Sequence, residues 1–319
     1  MKMKIYNRTI TPPHGKKKIL NKLIKPSVLV SSLLAITINQ TQAANWSFNK
    51  GQTTVDLDTS LTYDAQWRVE DRNSTIISSG GGGLPGFLTD DGNLNFDDGD
   101  MTQNRLSFSS DLDINYNFGG VFLRVRGWYD DIYNDKTLAG TKTFQQDGID
   151  QHKSEVELLD AFIYHSFDIG ERSLSLRVGE QVVNWGESLY VFGGISSAQG
   201  PIDATKANAP GVELKDIFLP IGQIYAEMDL SESFSMGAYY QYGWEETRID
   251  APGSYFNTVD VLGQNSIGDT LDILGLPVLE DTPDKGQWGF TVRYLAEELN
   301  STEFGIYFLE YNDFIPTPQ

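Results

Sequence analysis

Five arginines stand where their charge could act on a passing solute: Arg68, Arg105, Arg124, Arg126 and Arg177. Each lies in a stretch where polar and apolar residues alternate, and each belongs to the polar set. The carboxylates Asp56, Asp58, Asp64, Asp111 and Asp113 keep the same phase in these stretches. Guanidinium and carboxylate groups opposed across a constriction set a transverse field and tune which solutes pass. The same residue types also form salt bridges that tie neighbouring strands together, so the pattern alone leaves both roles open.

The run Asp90-Asp91-Gly92-Asn93-Leu94-Asn95-Phe96-Asp97-Asp98-Gly99-Asp100 is a second candidate. Its aspartate and asparagine oxygens could chelate Ca²⁺, a hard cation that takes six to eight oxygen ligands. No glutamate closes the loop at the EF-hand position. Asp and Asn are also the residues of solvated turns, and the composition favours that reading. Beyond this Ca²⁺ candidate no cofactor is expected.

A third candidate is the stretch 177–188, Arg-Val-Gly-Glu-Gln-Val-Val-Asn-Trp-Gly-Glu-Ser, followed by Gly193-Gly194-Ile195. Trp185 and Glu187 would place an aromatic platform and a carboxylate in a loop where glycine lets the backbone turn sharply. Solute contact is one role for the pair. The other is structural, with Trp185 as an interfacial anchor and Glu187 paired to an arginine.

Nucleophilic catalysis finds little support. His165 and Ser166 are adjacent in a strand-like stretch, so their side chains point to opposite faces and cannot form a serine–base pair directly. The glycine tract 79–86 lacks both the Lys-Ser/Thr ending and the following helix of a phosphate-binding loop. The expectation is a protein that is not an enzyme.

The elements that must position these residues are long strands. In 55–67 the odd positions Val55, Leu57, Leu61, Tyr63 and Trp67 are apolar, while the even ones carry Asp56, Asp58 and Asp64. Such alternation with period two marks a strand with one apolar and one polar face. It recurs over 106–118 and from Val121 onward, with Phe118-Gly119-Gly120-Val121 as the expected tight turn. Further strands are expected over 156–167 and 173–183, with Gly179-Glu180 read as a bulge or an edge, and over 223–230 and 234–244. A last pair brackets residues 297–301. Nine long amphipathic strands result, longer than the five or six residues usual in globular sheets. They are joined by short and long connections in turn, as in membrane barrels.

Composition narrows the class. The first 25 residues hold eight of the 24 basic side chains, residues 1–43 hold no acidic one, and the apolar run over 28–38 is too short to span a bilayer as a helix. A basic start, an apolar stretch and small residues before a break describe a secretory signal peptide, expected to be cut after Ala43. The remainder, 44–319, keeps 16 basic against 44 acidic residues, which argues against nucleic acid as a partner. The chain has no cysteine, so neither disulfides nor thiolate metal sites contribute.

The stretch 177–188 resembles the domain of unknown function 1302 family of bacterial outer-membrane proteins. The likeness extends to Thr59-Ser60-Leu61-Thr62-Tyr63, Asp91-Gly92-Asn93-Leu94-Asn95-Phe96-Asp97, Pro210-Gly211-Val212-Glu213-Leu214-Lys215, Trp244-Glu245-Glu246-Thr247-Arg248 and Thr302-Glu303-Phe304-Gly305. The resemblance implies a long outer-membrane β-barrel and a porin-like channel for hydrophobic or aromatic compounds. It supplies no catalytic residues.

The sequence therefore leads us to expect an all-β transmembrane antiparallel β-barrel in the outer membrane of a Gram-negative bacterium. An odd strand count does not close a bacterial barrel, so 44–319 is expected to be the N-terminal part of a longer one. The expected partners are outer-membrane lipid and small organic solutes. The competing class is a structural or assembly component of an envelope transport system, or a surface adhesin.

Overall fold

The computed structural model describes residues 33–73, 91–134, 146–186, 194–210, 212–257 and 286–314. Ten strands form one antiparallel sheet: β1 (Leu33–Phe48), β2 (Thr53–Arg68), β3 (Met101–Tyr116), β4 (Gly119–Asp130), β5 (Ser154–Ile169), β6 (Arg172–Gln181), β7 (Ile221–Asp229), β8 (Phe234–Gln241), β9 (Gln287–Ala296) and β10 (Thr302–Glu310). Each strand pairs with its neighbours in chain order, and the sheet is open between β1 and β10. No described helix is long and apolar enough to cross a membrane. The short helices α1 (Asp91–Asn95), α2 (Gln146–Lys153) and α3 (Ala204–Ala207) lie in the connections.

Connections sort by end. At one end β3 meets β4, β5 meets β6, β7 meets β8 and β9 meets β10 through short turns, as does β1 with β2. At the other end run the long segments 69–100, 131–153, 182–220 and 242–286.

The two faces of the sheet are buried in the opposite sense to a water-soluble protein. Leu61, Leu106, Val156, Ile163, Ile224, Ile306 and Phe308 point outward and are exposed, Ile163 to 60%. Between them on the other face, Asp64, Arg105, Arg126, Asp130 and Asp160 are buried, Arg126 to 4% exposure. Burying charge is costly unless it is paired, whereas apolar side chains are the groups that gain from leaving water.

The nine strands expected from alternation are β2 to β10. The tenth, β1, comes from the expected leader. Ile36 and Ile38 alternate with Thr37 and Asn39, and β1 pairs residue by residue with β2. The expected cleavage point falls inside it, where Ala43 lies opposite Asp58 and Ala44 opposite Leu57.

Two local expectations are corrected. The β3–β4 turn is Asn117-Phe118, with Asn117 at a φ of 53°, and Gly119 and Gly120 already pair within β4. These glycines admit close neighbours instead: a Cβ on Gly120 would lie 2.6 Å from the Tyr164 hydroxyl. Nor is Gly179-Glu180 a bulge, since pairing runs unbroken through Gly179↔Gln223 and Glu180↔Gly222. Gly179 has a φ of 139°, and a Cβ there would meet the Ala161 carbonyl at 2.3 Å. Register shifts lie elsewhere, on β5 between Leu123↔Ala161 and Val125↔Leu158 and on β3 between Gln66↔Gln103 and Trp67↔Met101.

Candidate functional site

The polar face carries two regions that differ in chemistry. The first is ionic and spans β3, β4 and β5. Asp111 and Arg124 are direct cross-strand partners, so their side chains share a face. The guanidinium donates through both Nε and Nη2 to the carboxylate, at 2.7 and 3.0 Å. The β5 bulge turns Asp160 toward the same arginine, at 3.1 Å. One turn of sheet away, Arg126 donates to Glu157 at 2.6 Å and to Asp203 at 2.5 Å.

Asp203 belongs to the connection after β6, which folds back over the polar face. It caps α3, accepting from the Thr205 N–H at 3.1 Å. Lys206 Nζ lies 3.8 Å from its carboxylate and 3.5 Å from the centre of the Trp128 ring. Further along, Asp216 accepts from Ser109 at 3.0 Å, its carbonyl accepts from Arg126, and Lys215 reaches Asp111 at 3.5 Å. The connection after β8 adds Arg248, 2.7 Å from Glu157. A small recess of about 60 Å³ remains beside Asp64, Arg105, Arg126, Trp128, Lys206 and Asp216.

Burial alone would raise the Asp203 pKa. The positive charges of Lys206 and Arg126 outweigh it and hold the carboxyl below its ordinary value. Lys206, fully enclosed, is pushed down to about 7 by burial, against the opposing pull of Asp203. Among the long connections His152 of α2 stacks on Tyr133 at 5.1 Å, and its Nε2 accepts from the Ala251 N–H at 3.0 Å. Burial, then the charges of Lys206 and Arg105, push it down to about 3. The histidine is thus neutral, and its 3.9 Å approach to Asp250 is not an ion pair at neutral pH.

The second region is aromatic and spans β4 to β10. Phe122 stacks on Phe162, with centroids 5.2 Å apart. The Arg177 guanidinium lies 5.7 Å from the Phe162 ring and 4.5 Å from that of Tyr225. Trp185 then turns back from the end of β6 onto Tyr225, Tyr239 and Tyr307, with centroid distances of 6.5, 4.9 and 6.2 Å. Its backbone N–H is held by Gln199 Oε1 at 2.7 Å. A Cβ on Gly237 would meet Thr291 Cγ2 at 3.2 Å and touch the indole only at an ordinary contact distance of 3.7 Å.

The residues singled out by sequence thus part company. Arg124 and Arg126 form the ionic region with Asp111. Arg105 sits between Asp64 and Asp130 on the neighbouring strands, 3.6 Å from the latter. Asp113 accepts from the Tyr164 hydroxyl at 2.6 Å, and Asp56 from Asn45. Arg68 stands apart from the ladder and pins α1, donating to Asn93 Oδ1 at 3.2 Å and the Phe96 carbonyl at 3.1 Å. A guanidinium therefore occupies oxygens that a Ca²⁺ would need, and no group of three metal-ligating side chains occurs among the described residues. Asp90 and Glu187 lie outside the described residues, as does the glycine tract. Trp185 is buried, packed against Tyr225 and Tyr239. Asp160, Glu157, Asp203, Lys206 and Arg248 escaped sequence reasoning, because a bulge and two long connections deliver them.

The chain is thus an all-β protein on one long antiparallel sheet, with charge and aromatic rings gathered on its covered face. A family model described as "Protein of unknown function (DUF1302)" matches residues 25–319, and the chain belongs to that family. No curated protein matches it.

Proposed function

We propose that the sheet is the wall of an outer-membrane β-barrel and that the protein is a porin-like channel passing small organic solutes, hydrophobic and aromatic ones included. The observation that carries this reading is the inverted burial, with apolar side chains exposed outside and paired charges inside. A water-filled lumen and a lipid surround satisfy both faces at once. Short turns at one end and long connections at the other match the periplasmic and outer ends of such barrels. Removal of a leader after Ala43 would put the new N terminus just before the 49–52 turn, at the periplasmic end. It would also free the edge of β2 from Asp58 onward for barrel closure.

On this reading the connection after β6 narrows the lumen, and the solute path runs beside it. The ion pairs that hold this connection also favour a second reading, a plugged barrel acting as a structural or assembly component of an envelope transport system. Planar-bilayer recording on the full-length protein separates the two. Discrete conductance steps are expected from a channel, and a folded, heat-modifiable protein that gives none would contradict it.

A further inference from the structure

We propose that Arg177 and the rings beside it form a binding site for planar organic carboxylates of the aromatic-acid type. The inference rests on the solute path described above and names the class of solute that the path would hold.

Arg177 differs from the other arginines of the polar face in how its donors are used. Arg105, Arg124 and Arg126 each face a carboxylate within salt-bridge distance. Arg177 has neither an ion pair nor a hydrogen bond among the described residues; its contacts are the faces of Phe162 and Tyr225. Stacking satisfies the flat faces of a guanidinium and fixes its plane, but leaves the N–H edge without an acceptor.

Two carboxylates on the neighbouring strands are engaged elsewhere. Asp160 is bound by Arg124 at 3.1 Å, and Glu227 by Arg293 at 2.5 Å and by the Tyr225 hydroxyl at 2.8 Å. In a chain of net charge −20, a half-buried arginine with no carboxylate partner among the described residues keeps its donors for a ligand. A carboxylate fits its edge through two parallel N–H···O bonds, the geometry for which guanidinium is suited.

The rings supply the other half of the ligand. The stacked Phe122 and Phe162 lie on one side of Arg177, and Tyr225 with Trp185 on the other. An aromatic body attached to the carboxylate would lie along either pair, gaining offset-stacked or edge-to-face contacts. A short aliphatic acid would engage the arginine without the rings, and a neutral aromatic amide the rings without the charge.

The test is binding to the full-length refolded protein in detergent, by calorimetry and by block of bilayer current, with benzoate, benzamide and acetate as probes. Benzoate is expected to bind roughly tenfold or more tightly than benzamide, since only the carboxylate takes charge-assisted N–H···O bonds from the guanidinium. Arg177→Gln should remove that preference, Arg177→Lys should restore part of it, and Arg172→Gln, at the exposed β5–β6 turn, should leave it in place. Equal binding of benzoate and benzamide to the unmodified protein would overturn the proposal, whether or not the variants fold. So would an unchanged preference in a folded Arg177→Gln variant. Benzoate binding lost on Arg177→Gln in a protein that shows no conductance would keep the site and discard the channel. Conductance without benzoate preference would do the reverse.

Discussion

Arg124 and Arg177 both project from the polar face of one sheet, yet their surroundings ask different things of them. Arg124 is enclosed by Asp111 and Asp160, with every contact strong and already made. Arg177 is half-buried against the rings of Phe162 and Tyr225, with no hydrogen bond among the described residues. The first setting is a strut and the second is a socket. A count of lumen-phase arginines cannot tell these apart, because the difference lies in what the neighbouring strands bring to the same height.

Substitutions in the two regions should therefore fail in different ways. The largest effect is expected from Asp203→Ala, which leaves Arg126 and Lys206 buried without their shared carboxylate. Breaking a buried pair costs about 3–5 kcal/mol. Denaturant titration of the folded protein should show that loss, together with greater protease sensitivity of residues 196–220. Trp185→Ala should cost about 3 kcal/mol by emptying the space between Tyr225, Tyr239 and Tyr307, the usual order for a large aromatic removed from a packed site. Conductance should rise in the same variant if the indole narrows the path. A stable variant with unchanged current would mean that Trp185 lies beside the path rather than in it.

Smaller effects bear on charge. Arg124→Gln leaves Asp111 and Asp160 without their arginine and should shift the reversal potential toward cation selectivity; an unchanged potential would remove this cluster from the ion path. His152 resists protonation in the fold down to about pH 3, against 6.5 for the free side chain. The unfolded chain therefore binds the proton first as pH falls, and stability contributed by this site is lost from about 6.5 downward. Asp250, raised to about 7 by burial, works in the opposite direction over part of the same window. The contribution of His152 is thus read as a difference. Relative to His152→Gln, the natural protein should lose about 1.5 kcal/mol more between pH 6.5 and 5. Parallel pH profiles would show that the histidine is not enclosed as described.

The strands were legible in the sequence because alternation is a local property: β2 to β10 follow from side chains two residues apart. Which arginines are struts was not, since partners such as Asp203 and Arg248 arrive from long connections that carry no periodicity. The β5 bulge was missed for a related reason. Gly179 looks like an interruption along the chain, but it is a point of close approach between strands, whereas the bulge at Leu158–Ala161 has no glycine to mark it. Trp185 was found by sequence and its packing against Tyr225 and Tyr239 was not. A residue four positions beyond a strand's end no longer keeps the strand's phase.

The central claim is that the exposed apolar face meets lipid and the covered polar face meets water. The absence of cysteine makes it directly testable. Single cysteines placed in turn at Phe162, Ile163 and Tyr164 of β5, spin-labelled after reconstitution in bilayers, report accessibility to oxygen and to a water-soluble nickel complex. The account expects Ile163 to be accessible to oxygen and shielded from nickel, and Phe162 and Tyr164 to show the opposite. The same accessibility at all three positions, or nickel reaching Ile163, would contradict it.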